Sequence, residues 1–390
     1  MAWLIVAIIC TIVVMIPYAI FPVVLRMMAK TPAAKLESLS VAKPEVDIVF
    51  AAYNEEKVIA EKLISVMESG YPKDKIKIWV GSDLSSDRTD EIVSELSKKY
   101  PQISLVRMEK RSGKSAIINH LMTLGKADFV IGTDANIFFE KDAVSNMIAP
   151  MLSDNSVDLV GGHLVYRGLD QQKIEGSISD EEQVYIQWEN RTKEIEGQIW
   201  GAAMGVEGGC YAIRRTAFRE IPRGTLMEDF FLTLSTLKRG AKVVMAMDAL
   251  CSEDVSQDPE MEFKRKVRIS QGNWQNTLRF ISIIWTKPFP VGLIFLCHKL
   301  LRWMTPFFGM AILLSILFHS LLHPTWWPVF IAAITLVILG LISPKLGFKN
   351  KYSNLLAHFL MMNIALLLGF FQFIKKPESG IWQPTTRNAS

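Results

Sequence analysis

Apolar residues run from about Ala2 to Leu25 with no charge before Arg26, and they return after Trp285 in the blocks Pro288 to Leu322, Thr325 to Ile342 and Leu355 to Ile374. Each block is about as long as a hydrocarbon core requires, which is roughly 20 residues. Between them, from Glu45 to about Asp254, short β-branched runs alternate with amphipathic stretches. That alternation predicts βα units around a mostly parallel sheet, an α/β fold flanked by transmembrane helices. The chain accordingly divides into an N-terminal transmembrane helix (1–28), an α/β domain (45–256), an amphipathic interfacial segment (257–287), a C-terminal membrane region (288–375) and a tail (376–390).

Charges at the ends of the apolar blocks suggest a sidedness. Arg26, Lys30 and Lys35 follow the first block, and the positive-inside rule places the central domain in the cytoplasm and the N-terminus outside. A cleaved signal peptide is the alternative, but no basic region precedes the apolar run and it exceeds the usual signal core. Lys345, Lys349 and Lys351 predict a cytoplasmic loop between the last two spans. Pro288 to Leu322 is interrupted by His298, Lys299 and Arg302 and broken at Pro306. If it crosses once, the tail ends outside; Lys375, Lys376 and the Trp382-x-Pro384-Thr385-x-Arg387 tail point inside, and an interfacial or re-entrant segment would reconcile the two.

Composition narrows the function. The 390 residues are half hydrophobic, which suits neither an ordinary soluble protein nor, at 21% charged, a pure transporter. A net charge of only +4, with no basic run interleaved with aromatics, excludes nucleic acid as a natural partner. Cys10, Cys210, Cys251 and Cys297 show no metal or disulfide spacing, as expected in a reducing compartment. His120 and His163 stand alone and are read as structural.

The predicted strands Val46 to Ala52, Ile76 to Val80, Ile103 to Arg107 and the run ending at Thr133 each lead into a polar turn. Predicted helices follow the first three turns, reaching about Ser69, running from the caps at Ser85 to Asp90 to about Lys99, and starting near Lys114. Ligands bind at the carboxyl ends of such strands, and Asp134 and Asn136 offer oxygen ligands to Mg²⁺ or Mn²⁺ there; a capping Asp after a strand is the plainer reading. Gly113-Lys114-Ser115 is not a P-loop, because Met108 stands where the first glycine is required. No Gly-x-Gly-x-x-Gly follows the first strand, so a dinucleotide fold is excluded as well. Arg111 and Lys114 are either a solvated helix start or cations for a diphosphate.

Taken in order, Ala51-Ala52-Tyr53-Asn54-Glu55-Glu56, Asp83 with Ser-Ser-Asp-Arg-Thr-Asp behind it, Gly113-Lys114, Thr133-Asp134-Ala135-Asn136, Glu207-Gly208-Gly209, Glu228-Asp229 and Arg268-x-x-Gln271-x-x-Trp274 resemble membrane-bound family 2 glycosyltransferases of the polysaccharide-synthase kind. The resemblance spans about Val46 to Trp274. It implies a GT-A fold that binds a nucleotide sugar, usually UDP-linked, and transfers the sugar with inversion to a glycan or membrane-lipid acceptor. Carried over, Ala52, Tyr53, Glu55 and Asp83 would hold base and ribose, Arg111 and Lys114 the diphosphate, and Asp134 a divalent metal. Asn136 departs from the usual second acid and leaves one fewer negative charge at the metal.

Asp229 would be the general base for the acceptor hydroxyl; a helix-dipole acid pair is the structural alternative. Glu207, Gly208 and Gly209 would lie at acceptor or donor sugar, unless they are simply a tight turn. Arg268, Gln271 and Trp274 vary the order of Gln-x-x-Arg-Trp and would face product and diphosphate, whereas a basic amphipathic helix on lipid phosphates explains the same residues. The segment from Arg167 to Glu196 is read as a helix with no chemistry assigned. A single transfer to a lipid, or an inactive nucleotide-binding subunit of an export complex, are the competing functions.

Overall fold

The structure, a computed structural model, describes residues 1–29, 43–167, 178–254, 259–343 and 351–376. Lys30, Lys35, Lys345, Lys349 and the tail residues Trp382, Pro384, Thr385 and Arg387 lie outside the described residues.

The central domain is built on strands β1 (Val46–Ala52), β2 (Ile76–Ser82), β3 (Ile103–Arg107), β4 (Phe129–Thr133), β5 (Ile137–Phe139), β6 (Val157–Arg167), β7 (Cys210–Arg214) and β8 (Lys242–Asp254). They form one sheet in the order β3-β2-β1-β4-β7-β6-β8-β5. Among the described residues four of its seven pairings are parallel (β1–β2, β1–β4, β2–β3, β6–β8), so the sheet is mixed, with a wholly parallel block, β3-β2-β1-β4, from the start of the chain. Every residue of β1 is buried. Its alternation serves two cores, with Ile48 and Phe50 in one and Val49 and Ala51 in the other. A strand covered on both faces therefore reads as an apolar run, broken here only by the buried Asp47.

The helices up to the end of the domain are α1 (Ala2–Met15), α2 (Phe21–Met28), α3 (Ile59–Met67), α4 (Thr89–Lys99), α5 (Lys114–Leu124), α6 (Ala143–Ser153), α7 (Ile178–Trp200), α8 (Glu228–Arg239) and α9 (Pro259–Phe280). Ile59, Leu63 and Val66 of α3 join the Ile48 and Phe50 core. Ile117 and Leu121 of α5 join the other, together with Phe21 and Leu25 of α2, so the membrane helix is welded to the domain through shared apolar packing. Among the described residues, three further long helices follow, α10 (Thr305–Leu322), α11 (Trp327–Ile342) and α12 (Lys351–Lys375).

Among the described residues, four segments are long and apolar enough to cross a membrane: Ala2–Met28, Thr305–Leu322, Pro324–Ile342 and Tyr352–Lys375. The expected Pro288 to Leu322 block is not one span. Its first half forms short, mostly π-helical pieces, Pro288–Gly292, Phe295–Leu300 and Leu301–Trp303, and the stretch long and apolar enough to cross starts only at Thr305. The polar residues responsible are held by the domain. His298 Nδ1 bonds Glu196 Oε1 at 2.6 Å, and Arg302 Nη1 donates to Glu189 Oε2 at 2.6 Å, both partners being on α7. Lys299 pairs with Glu189 as well. A cationic cluster that would be costly in lipid is thus neutralised inside protein.

Candidate active site

β1 and β4 are neighbours, yet the chain leaves β1 for β2 on the other side, so their carboxyl ends flank a topological switch point. A pocket of about 500 Å³ opens there, walled by Lys114, Asp134, Asn136, Glu207, Asp229 and Arg268. Glu55, Gly208 and Gly209 also line it. Segments more than 200 residues apart in Glu55 and Arg268 meet at one cleft because three strand ends and two helix starts converge on it.

Asp134 follows the last residue of β4. Lys114, the first residue of α5, places its ammonium 2.6 Å from Asp134 Oδ1 and also against the Glu228 carboxylate. Burial alone would lower the Lys114 pKa, but the two carboxylates outweigh it and hold the lysine protonated. Gly113 caps α5 with φ 78°, a conformation that suits glycine. Asp83 anchors this corner: Oδ1 accepts from Ser112 N at 2.6 Å, and Oδ2 from Arg111 Nε at 3.0 Å and Gly113 N at 3.2 Å. Arg111 in turn lies over the Tyr53 ring at 3.4 Å, and Asp83 N donates to Ala52 O at 2.9 Å. Ala52, Tyr53, Asp83 and Arg111 therefore form one connected group beside the pocket, and Glu55 reaches its wall.

Asp229 sits in the first turn of α8 and is 7% exposed. Its Oδ1 accepts from Phe230 N at 2.8 Å. Burial, reinforced by the neighbouring Glu228 carboxylate, pushes its pKa up to about 7. The glycine loop runs between the two acids: a Cβ on Gly208 would lie 3.2 Å from Asp229 Oδ2, and one on Gly209 would lie 2.6 Å from Ile137 Cγ1. At Gly209 a side chain is excluded by proximity, and at Gly208 it would crowd Asp229. Glu207 accepts from Lys193 Nζ at 2.5 Å; burial would raise its pKa, but that pairing wins and lowers it.

On α9 the expected trio separates. Arg268 lines the pocket. Gln271 donates from Nε2 to Lys376 O at 2.7 Å, and Trp274 is buried with its ring centroid 5.0 Å from that of Phe370. Each step of three residues falls about 60° short of a full helical turn, so two steps from Arg268 carry Trp274 out of the cleft and onto α12.

Three features escaped sequence reasoning. Lys62, fully buried on α3, donates to Thr133 Oγ1 at 2.9 Å and to Ile137 O at 2.5 Å, and Thr133 Oγ1 donates to Gly209 O at 2.8 Å. It ties the Asp134 turn to the glycine loop. Burial lowers its pKa to about 7. Glu253, near the end of β8, accepts from Asn136 Nδ2 at 2.9 Å. The α7 acids Glu189 and Glu196 hold the cluster at His298 to Arg302 described above. The only sequence signal was a lysine on the apolar face of α3 and acids in a stretch facing an apolar block.

Among the described residues no group of three or more His, Cys, Asp or Glu forms a metal cage. Asp134 and the Asn136 amide supply one carboxylate and one neutral oxygen. That donor set fits a small hard cation that takes its remaining ligands from a diphosphate and water.

Residues 47–222 match the description Glycosyl transferase family 2. The chain carries a family 2 glycosyltransferase domain. The chain is 27% identical over 246 residues to a probable glycosyltransferase, YdaM, of Bacillus subtilis, covering 61% of this chain and 57% of that protein. It is 26% identical over 247 residues to a poly-beta-1,6-N-acetyl-D-glucosamine synthase of Staphylococcus epidermidis, covering 62% and 58%. The chain thus spans a little over half the length of these relatives. Its fold as a whole, membrane helices included, is similar to that of a mannosyltransferase of Pyrobaculum calidifontis in complex with GDP-Man and Mn²⁺, with a TM-score of 0.71 at 18% identity, covering 95% of this chain and 98% of that one. The fold of the glycosyltransferase domain is therefore GT-A-like.

Proposed function

We propose that this chain is an inverting glycosyltransferase that moves a sugar from a nucleotide donor, in the first instance a UDP-sugar, onto a growing polysaccharide at the membrane. Burial of Asp229 across the glycine loop from Asp134 is the observation that carries this reading. A base facing a diphosphate-binding acid is what in-line displacement requires. The donor diphosphate lies against Lys114, Arg268 and the Arg111 corner, whose cations offset the charge that develops on the leaving oxygen. A divalent ion, Mg²⁺ or Mn²⁺, held by Asp134 and Asn136 would share that charge as a Lewis acid. The acceptor hydroxyl oxygen attacks the anomeric carbon, the bond from that carbon to the phosphate oxygen breaks, and the proton passes to Asp229 Oδ2. Oδ1 is committed to Phe230 N–H. Near neutral pH a group of pKa about 7 is well matched to taking that proton.

The catalytic domain faces the cytoplasm in this reading, at the plasma membrane. Trp3 stacks on Phe318 at 4.9 Å near one end of the bundle. Near the other end, Gly340 lies against Leu356 and Leu360, and Gln271 holds the backbone of Lys376. These contacts support a reading in which both ends of α12 lie on the domain side, as the positive-inside rule expects for Lys351, Lys375 and Lys376. A second reading, a single transfer to a lipid acceptor, is favoured by Trp274, which is packed against α12 instead of offering a platform to a polymer in the cleft. Export-complex subunits belong only to the polymer reading.

The test is the full chain in lipid nanodiscs, supplied with a panel of nucleotide sugars and Mn²⁺, with nucleoside diphosphate release and product length followed together. Release with a product of many sugars supports the polymer, and release with one added sugar the lipid acceptor. No release with any donor would leave an inactive binding subunit.

A further inference from the structure

Asn136 stands where a second acid would complete the metal motif, and the structure shows what stands behind it. β5 pairs antiparallel with β8 in the register Ile137 to Glu253, which brings Glu253 beside the Asp134–Asn136 turn. Glu253 is 4% exposed, lines the same pocket as Asp134 and Asn136, and its Oε1 accepts from Asn136 Nδ2 at 2.9 Å. An ionised carboxylate only accepts hydrogen bonds, so it can face the NH₂ end of the amide and not the oxygen end. The Asn136 amide is therefore fixed in one of its two flips, with Oδ1 turned away from Glu253.

We infer that Glu253 is a positioning residue that supplies, through Asn136, the negative charge missing from the metal motif. The asparagine presents an oriented amide oxygen, polarised by the carboxylate behind it, and the pair together carries the single charge that an acid would carry alone. Outer carboxylates that orient a ligand in this way commonly set metal affinity by 10–100-fold. The arrangement also explains why the position is not an acid: an Asp at 136 would set two carboxylates face to face. This inference rests on the reading of Asp134 as the metal-binding acid.

The test measures Mn²⁺ binding by the full chain in nanodiscs, using the loss of the free-ion electron paramagnetic resonance signal, with UDP and with GDP in separate titrations. Glu253→Gln and Asn136→Asp each weaken Mn²⁺ binding by roughly ten-fold or more. The double variant Asn136→Asp with Glu253→Gln restores one carboxylate and one amide donor, and returns the affinity to within about three-fold of wild type by the approximate reciprocity of such a pair. A merely structural role for Glu253 gives no such rescue. The inference is overturned if Asn136→Asp alone binds Mn²⁺ as tightly as wild type or more tightly, if Glu253→Gln is without effect, or if the double variant is no better than the singles. Should wild type bind no Mn²⁺ with either nucleotide, the metal reading itself fails; should Asp134→Asn lose binding while the swap does not rescue, only the role of Glu253 does.

Discussion

Replacing Asp229 by Asn should inactivate the protein and, at neutral and higher pH, stabilise it. Burial and the Glu228 carboxylate raise the Asp229 pKa from 3.8 to about 7 in the folded chain. A raised carboxyl pKa means that the folded state binds the proton more tightly than the unfolded one, so stability falls as pH rises from about 4 and levels off above about 7. The shift of roughly three units, from 3.8 to about 7, corresponds to about 4 kcal/mol of penalty on the plateau. Asn is neutral and its Oδ1 can still accept from Phe230 N–H, so the variant escapes the penalty. Near pH 4 the two proteins should melt together. By pH 8 the variant should melt higher by roughly 10 °C, at roughly 2–4 °C per kcal/mol for a domain of this size. Thermal unfolding of both proteins in nanodiscs, scanned at half-unit steps between pH 4 and pH 8, reads this directly. A gap that is constant with pH, or a variant that melts lower at pH 8, would refute the account of Asp229 as a strained, buried acid.

Other outcomes follow from the same geometry. Lys114→Met leaves Asp134 and Glu228 facing each other without their shared cation, and isothermal titration with UDP or GDP should show affinity down by at least about ten-fold, since a charge-assisted contact is worth roughly 1.5–3 kcal/mol. Lys62→Met removes the tie between Thr133, Ile137 and, through Thr133, Gly209; steady-state kinetics should show kcat falling roughly ten-fold or more, because small displacements of reacting groups are costly. Thr133→Val should reproduce part of that loss with Lys62 intact. A cysteine at Lys376, in a background lacking Cys10 and Cys297, should react with an impermeant maleimide from the same side of the membrane as one at Lys98; labelling from opposite sides would show that α12 crosses.

Much of the fold was legible because its signals are local. β1 and β3 match their expected ranges residue for residue, since each is a short, largely apolar run bounded by turn residues. α5 starts at Lys114, after the glycine that its turn needs. The mixed part of the sheet was not legible, because β7 inserts antiparallel between β4 and β6 through contacts set by long-range packing. The same limit applied to the site. Asp134, Lys114 and Asp229 announce themselves as polar residues at strand ends and helix starts. Lys62 and Glu253 do not, because each acts through a partner more than 70 residues away in sequence. Trp274 shows the reverse error: its spacing suggested a shared face with Arg268, yet helical precession delivers it to α12.

The account rests on a division of labour in which Asp229 handles the acceptor proton and the Asp134 side holds the donor. Its most direct test measures nucleoside diphosphate affinity and sugar transfer on the same preparation of Asp229→Asn. Affinity should stay within about two-fold of wild type while transfer falls by at least about 100-fold, the low end of what a positioned base contributes. Transfer within a few-fold of wild type would contradict it.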